Sequence, residues 1–175
     1  MMISIVDNAV PKSLQRYLAD IFLTHNGIPW FYIDDIAGIN AEVQTEGWAH
    51  VVKDNNTHSP MTDIMMAILF IATEQANVPV HSVERIRAGL FTIKESQRIH
   101  NPHIDWDSEH LVMLYYVIDS DGPTYFYNDK NEIINQVDPV AGRAVIFDGR
   151  IKHASSSPTS YKKRIVINFN FNTKK

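Results

Sequence analysis

The sequence contains no cysteine. This absence excludes disulfide bonds, iron–sulfur clusters, cysteine-based zinc sites and thiol nucleophiles, and it fits a reducing compartment, so we expect a cytoplasmic protein. Long hydrophobic runs are also lacking: the longest, residues 64–72, is far shorter than the roughly 20 residues that span a bilayer. Residues 1–7 lack the basic start and the apolar run of a signal peptide. We therefore expect no signal peptide and no membrane partner.

An excess of positive charge is missing as well. The net charge is −4, which gives no general attraction to nucleic acid, so a nucleic-acid partner is not expected. Hydrophobic residues make up 45% of the 175 residues and charged residues 21%, which is typical of an ordinary globular protein. A chain of this length can bury one sizeable core, so we expect a single domain over residues 1–175. The sequence does not indicate an oligomeric state.

Apolar side chains spaced three and four residues apart predict two helices in the first 80 residues. The first covers residues 11–25, and the second runs from residue 59 or 62 to about residue 77. Residues 30–33 favour a short strand. Residues 34–60 show little periodicity beyond a short strand at Val51 and Val52, and such a segment is either a loop over a binding site or a plain surface loop.

From residue 81 onward, short runs of β-branched and aromatic residues alternate with turn residues. Seven or eight strands at this spacing indicate a β-sandwich or barrel. The predicted strands are residues 83–93, 103–106, 111–118, 124–127, 132–137, 143–147, 151–154 and 164–171. We expect a mainly β fold in which residues 1–80 give helical and loop support and residues 81–172 form the core.

His103-Ile104-Asp105 is the first candidate for chemistry. In a strand, residues i and i+2 point to the same face, so the imidazole and the carboxylate project together. These are two of the three ligands of a facial iron(II) site, although the same pair is also common among solvated turn residues.

The third ligand is predicted to be His153, on a strand that follows the Asp148-Gly149 turn. On a strand, the three-residue spacing from His103 would turn His100 to the opposite face. The other histidines are interpreted as turn, surface or capping residues; they are His25, His50, His58, His81 and His110.

The last predicted strand places a polar face next to an apolar one. Arg164 shares its face with Val166, Asn168 and Asn170, whereas the alternate positions are isoleucine and phenylalanine. If the apolar face packs on the helices, Arg164 points into the interior. A buried arginine is costly unless an anion pairs with it, and a dicarboxylate would supply that anion through two hydrogen bonds.

These features, in this order, make the second half of the chain resemble the iron(II)- and 2-oxoglutarate-dependent oxygenases, in particular their prolyl-4-hydroxylase-like branch. His103-Ile104-Asp105 resembles the proximal His-x-Asp motif, and His153 resembles the distal histidine. Arg164 stands where members carry the residue that binds the distal carboxylate of 2-oxoglutarate. Segments 115–119, 121–126 and 139–147 match as well, so the resemblance covers roughly residues 86–171. The sequence departs from the family pattern at Pro123 and over residues 154–163.

The resemblance implies a double-stranded β-helix, or jelly-roll, core with the N-terminal helices packed on its major sheet. It implies Fe(II) bound by His103, Asp105 and His153, with 2-oxoglutarate and O2 as co-substrates. Arg164 would bind 2-oxoglutarate, and Lys162, two residues earlier on the same face, is the alternative.

Further residues follow from the same resemblance. Tyr116 aligns with a family tyrosine that would give 2-oxoglutarate a second hydrogen bond, or it is an ordinary core tyrosine. Asn168 and Asn170, on the same strand face as Arg164, are weaker candidates for the wall of a substrate pocket. Trp106, beside the predicted ligands, either lines the entrance of that pocket or serves only in packing.

The implied reaction is hydroxylation of an unactivated C–H bond on a peptidyl or free amino-acid side chain such as that of proline. The partner would be a small molecule or a peptide. An oxygenase acting on another small molecule or on a nucleobase is the alternative among enzymes. A non-catalytic module that holds a peptide or dicarboxylate on the same scaffold is the alternative outside that class. A zinc-dependent hydrolase using the same three ligands lacks a nearby glutamate motif to act as base.

Overall fold

The computed structural model of the protein describes residues 3–24, 27–36, 45–96 and 98–174. Within these ranges the helices are α1 (Lys12–Leu23) and α2 (Thr62–Gln75). The strands are β1 (Ile3–Val6), β2 (Phe31–Ile33), β3 (Gly47–Lys53), β4 (Ser82–Thr92), β5 (Leu111–Tyr116), β6 (Thr124–Tyr127), β7 (Ile133–Val137), β8 (Ala144–Asp148), β9 (His153–Ala154) and β10 (Lys163–Asn172). The prediction of a mainly β fold with two helices is confirmed.

The strands form two antiparallel sheets. The major sheet has the order β1-β8-β5-β10-β4-β3-β2, and the minor sheet has the order β7-β6-β9. The last strand, β10, lies in the middle of the major sheet between β5 and β4. Helices cover one face of the major sheet and the minor sheet faces the other, which is the predicted double-stranded β-helix arrangement.

Strict alternation along β5 and β10 separates two apolar layers. On one face, both strands pack with the helices; this layer contains Leu18, Phe22, Met65, Ile68, Met113, Tyr115, Ile165, Ile167, Phe169 and Phe171. The opposite face packs toward the minor sheet; this layer contains Val112, Leu114, Tyr116, Phe126, Val145, Phe147 and Val166. The two-residue period of a strand therefore fixes which side chains of β10 reach the space between the sheets. Arg164 and Asn168 are among them.

The expectation of an irregular segment over residues 34–60 is wrong for residues 47–53. Residues 47–53 form β3, which pairs with both β4 and β2 inside the major sheet. Strand β4 offers a long edge, and pairing along it stabilises a segment whose own β signal extends little beyond Val51 and Val52. Residues 37–44 of the predicted loop lie outside the described residues, as does His25 at the predicted end of the first helix.

The N-terminal residues contribute a strand that the sequence pattern did not predict. Strand β1 pairs with β8 at the edge of the major sheet. Both halves of the chain therefore build the same sheet. Neither α1 nor α2 has the length and hydrophobicity to cross a bilayer.

Candidate metal centre

Backbone pairing holds His103 and His153 opposite each other. The amide of His103 donates to the carbonyl of His153 at 3.0 Å, and the amide of His153 donates to the carbonyl of His103 at 2.9 Å. The two ring centroids are 4.8 Å apart. His103 makes only this single bridge, so the predicted strand over residues 103–106 is wrong. One bridge to β9 is enough to place the two imidazoles side by side.

Hydrogen bonds define the tautomer of both rings. Nδ1 of His103 lies 3.0 Å from the carbonyl oxygen of Asn101, and Nδ1 of His153 lies 3.0 Å from that of Ile151. Because a carbonyl accepts and never donates, each Nδ1 carries a proton, and Nε2 is the ring nitrogen that remains available to a metal. Burial lowers the pKa of His153 to about 4, so this ring is neutral at physiological pH. A neutral imidazole is the form that binds a metal.

Asp105 completes a group of three side chains whose ligand atoms lie within 4.8 Å of one another. Its Oδ2 accepts hydrogen bonds from the amide nitrogens of Asn170 at 2.7 Å and Asn168 at 3.0 Å. Its Oδ1 lies 3.2 Å from Nη2 of Arg85. Burial acts to raise the pKa of Asp105, but the positive charge nearby and the two amide hydrogen bonds lower it to about 2. The carboxylate is therefore ionised and held in one orientation.

The donor set suits a divalent first-row metal. Two imidazole nitrogens and one carboxylate oxygen on one side of a metal ion would leave its other coordination positions free, as in non-haem iron(II) sites. Each donor also has an outer hydrogen bond that orients it, a feature typical of metal-binding side chains. The residues present therefore fit an iron(II) ion.

Asn168 and Asn170 hold Asp105 in place. Asn170 is fully buried; its amide nitrogen binds Asp105, while its oxygen accepts from Nε of Arg85 at 3.0 Å. It lies behind the carboxylate, whereas Asn168 binds the same carboxylate and also lines the cavity. Both residues thus orient Asp105 within the candidate metal centre.

A cavity opens between the two sheets at this group of three. The inner faces of β4 and β10 supply much of its wall, including Arg85, Arg87, Gly89, Phe91, Arg164 and Asn168. The metal ligands predicted from the sequence and the predicted anchor Arg164 therefore face one space.

Arg164 is almost completely buried, with 1% of its surface exposed. Its Nε donates to the carbonyl of Gly122 and its Nη2 to Oγ1 of Thr124, both at 2.8 Å. Its Nη1 is buried without a hydrogen-bond partner among the described residues. Burial lowers the pKa of Arg164, since a charged group loses hydration there. Lys162, the alternative anchor, is exposed and does not line the cavity.

Tyr116 is connected to the Arg164 end of the cavity by a hydrogen bond to Thr124. Its hydroxyl is buried and donates to Oγ1 of Thr124 at 2.7 Å, and its ring lies 5.6 Å from the Arg164 guanidinium carbon. Among the described residues, Thr124 lines the cavity and Tyr116 does not. Burial raises the pKa of Tyr116, so its hydroxyl stays protonated.

Trp106 does not line the cavity that contains His103, Asp105 and His153. It lines a neighbouring surface depression together with His110, and the guanidinium of Arg85 stacks over its ring at 5.0 Å. Arg85 lines both spaces and separates them.

The remaining histidines are not part of the group. His100 is buried, and its two ring nitrogens lie 2.8 Å and 3.0 Å from the hydroxyls of Ser155 and Ser157. His50 and His110 are buried rather than at the surface. His58 and His81 are exposed, as expected.

Several cavity residues were not predicted from the sequence, among them the polar residues Arg85, Arg87 and Thr124. A signal was present for the first two, because Arg85 and Arg87 alternate with Ile86 and Ala88 and so share the face opposite the apolar one. For Thr124 the signal was its place in segment 121–126, which resembles the family pattern.

No protein-family model matches the sequence, and no curated protein matches it. Solved structures do resemble it. A prolyl-4-hydroxylase from Pseudomonas putida has a TM-score of 0.64 at 15% identity, over 97% of this chain and 92% of that one. An oxidoreductase of the 2-oxoglutarate–Fe(II) oxygenase family from Burkholderia pseudomallei has a TM-score of 0.73 at 11% identity, over 98% and 85%.

A third similar structure is a prolyl hydroxylase from Trichoplax adhaerens in complex with a peptide fragment of the hypoxia inducible factor oxygen degradation domain. Its TM-score is 0.64 at 13% identity, over 98% of this chain and 83% of that one. The likeness extends over nearly the whole chain in all three cases. The chain therefore has the double-stranded β-helix fold of the 2-oxoglutarate- and Fe(II)-dependent oxygenases.

Proposed function

We propose that the protein is an Fe(II)- and 2-oxoglutarate-dependent dioxygenase that hydroxylates an unactivated C–H bond, on an amino-acid side chain or a related small molecule. The observation that carries this proposal is the pairing of two features in one cavity. One is the His103–Asp105–His153 group, and the other is the buried Arg164 with an unpartnered Nη1. A metal explains the first feature, and the carboxylate of a co-substrate explains the second.

His103, Asp105 and His153 would hold the iron. When bound, it would supply activation of dioxygen, coupled to oxidation of 2-oxoglutarate to succinate and CO2. The protons on Nδ1 of the two histidines direct both Nε2 lone pairs away from the backbone carbonyls. The low pKa of Asp105, about 2, keeps its charge available at any physiological pH.

Arg164 and Thr124 would bind the distal carboxylate of 2-oxoglutarate. Oγ1 of Thr124 accepts hydrogen bonds from Tyr116 and from Nη2 of Arg164, which uses both of its lone pairs. The hydroxyl proton of Thr124 is then left to donate into the cavity, beside the free Nη1 of Arg164. The nearby apolar side chains of Phe91, Leu114 and Val166 limit the access of water to this end.

Two of the similar structures are prolyl hydroxylases, and one of these holds a peptide. A peptidyl substrate is therefore one form of the proposal. A free small molecule is the other, because the substrate differs among proteins that share this fold.

The test combines metal binding with turnover. Anaerobic titration should give one Fe(II) per chain, and the loaded protein should form succinate from 2-oxoglutarate in the presence of O2. His103→Ala should lose both properties, whereas the exposed His58→Ala should keep them. Normal folding without iron binding would instead favour a non-catalytic binding module, and turnover with zinc alone would favour a hydrolase.

A further inference from the structure

Arg87 is one of three arginines that line the cavity of the candidate metal centre. It lies on the inner face of β4, opposite Asn168 of β10. In the described parts of the chain its guanidinium makes one hydrogen bond, from Nη2 to the carbonyl of Ile36 at 3.2 Å. None of the ion pairs formed by the described residues includes it. An arginine has five N–H donors, so most of its donors are left for a ligand.

The two other arginines of the cavity have assigned partners. Arg85 binds Asp105 through Nη2 and Asn170 through Nε. Arg164 binds Gly122 and Thr124 and keeps one nitrogen for the co-substrate under the proposed function. Of these three, only Arg87 has neither a carboxylate partner among the described residues nor a task in the proposed reaction.

The charge balance of the cavity indicates what Arg87 binds. The described lining residues include three arginines and a single carboxylate, Asp105. Counted over the described lining residues, and with both histidines neutral as metal ligands, two positive charges remain in excess. Fe(II) and the 2-oxoglutarate dianion cancel each other, so the excess persists in the loaded site. An anionic substrate would neutralise it in part, whereas a neutral one would leave Arg87 desolvated and unpaired.

Space is available next to Arg87. Gly89 is two residues further along the same face of β4, and a Cβ placed there would lie 3.8 Å from both Ile36 Cδ1 and Val166 Cγ1. The missing side chain leaves a small space with apolar neighbours, two residues from Arg87 on the same face of β4. A guanidinium together with a small apolar space fits a molecule that carries an anionic group on a short hydrocarbon chain.

We propose that the substrate is a small molecule bearing a carboxylate or phosphate group, which Arg87 binds with charge-assisted hydrogen bonds. Arg87 would then select small acids, such as free amino acids, over neutral peptide segments. This inference rests on the proposed function and names the substrate class of the same site.

The test uses the protein loaded anaerobically with Fe(II) and saturating 2-oxoglutarate, so that Arg164 is occupied. Inorganic phosphate and acetate are titrated by calorimetry at constant ionic strength. We expect saturable binding of at least one anion, and the tighter of the two identifies the group that the substrate carries. In Arg87→Gln the affinity should fall about tenfold, the loss of one charge-assisted interaction.

Arg87→Lys should retain part of the affinity, because it keeps the charge but loses the planar fork of donors. Arg16→Gln removes the same charge at an exposed position of α1 and should leave the anion affinity unchanged. Equal affinity in Arg87→Gln and the unmodified protein, or the absence of any saturable anion binding, would overturn the inference.

Failure of this inference is distinguishable from failure of the proposed function. The visible absorption of the Fe(II)–2-oxoglutarate complex reports whether both have bound. If the complex forms but neither anion binds through Arg87, the substrate class is wrong and the proposed function stands. If the complex does not form, the proposed function itself fails, and the inference about Arg87 fails with it.

Discussion

The amide nitrogen of Asn170 donates a 2.7 Å hydrogen bond to Oδ2 of Asp105, 65 residues away in the sequence. Asn170 also accepts from Arg85, which in turn contacts the other oxygen of the same carboxylate. The orientation of the one acidic group in the candidate metal centre therefore depends on β10 and β4, which lie behind it.

Replacing Asn170 with alanine should weaken metal binding without removing a ligand. Asp105 would lose one of the two amide donors that orient it, and losing such an outer contact typically lowers metal affinity about 10- to 100-fold. Anaerobic Fe(II) titration measures the change. Asn172→Ala is the matched control, since the amide of Asn172 on the same strand binds Ser82 and Glu84 instead. Equal affinities in both variants would contradict this account of Asp105.

Replacing Arg164 with glutamine should raise the KM for 2-oxoglutarate at least about tenfold, because charge-assisted hydrogen bonds to the co-substrate carboxylate would be lost. Steady-state succinate formation measures the KM. The loaded protein should also lose most of the thermal stabilisation that bound 2-oxoglutarate provides. Lys162→Gln should behave like the unmodified protein, since Lys162 is exposed. A larger effect at Lys162 than at Arg164 would reverse the assignment of the anchor.

Asp121 should stabilise the chain segment that leads into β10. Its carboxylate accepts hydrogen bonds from the hydroxyl of Thr159 and from the backbone amides of Thr159, Ser160 and Tyr161. Burial acts to raise the pKa of Asp121, but these hydrogen bonds lower it from 3.8 to about 2. Asp121→Asn should reduce the free energy of unfolding in urea at pH 7 by roughly 1–2 kcal/mol.

The effect of Asp121 should depend on pH in a definite direction. Its folded-state pKa lies below its unfolded-state value, so its contribution is fully present above pH 4 and is lost as the pH falls toward 2. The difference between Asp121→Asn and the unmodified protein should therefore shrink as the pH is lowered below about 4. Asp20→Asn, at an exposed position of α1, should give no such pH-dependent difference.

Gly142 should resist substitution because its backbone requires glycine. Its φ is +82°, a left-handed conformation, and an added Cβ would overlap the buried side chain of Gln15. Gly142→Ala should lower the free energy of unfolding by roughly 1–3 kcal/mol. Gly89→Ala is the control: its Cβ would make only ordinary contacts, so stability should change by less than about 0.5 kcal/mol. Thermal and urea unfolding compare the two variants directly.

Much of the fold could be predicted because its signals are local. The apolar spacing of α1 and α2 and the runs of β-branched residues in β4, β5 and β10 depend only on neighbouring residues. Strands β1 and β3 were not predicted as such, since their stability comes from pairing with β8 and β4. Pairing of this kind joins distant segments and leaves little trace in a short stretch of sequence.

The candidate site likewise has features that the local sequence predicts and features that depend on long-range pairing. The sequence by itself determined the chemical types and the face-sharing of the key residues: an imidazole and a carboxylate two apart, and an arginine on the inner face of the last strand. Two-residue periodicity fixes the face of Arg164 on β10, whereas His103 and Asp105 project together although they belong to none of the strands β1–β10. The three-dimensional structure alone shows that His153 pairs with His103 and that Asn168 and Asn170 bind Asp105. It also shows that Arg85 has a carboxylate partner, whereas Arg87 has none among the described residues. These relations depend on the register between strands distant in the chain, and register is set by the packing of the whole sheet.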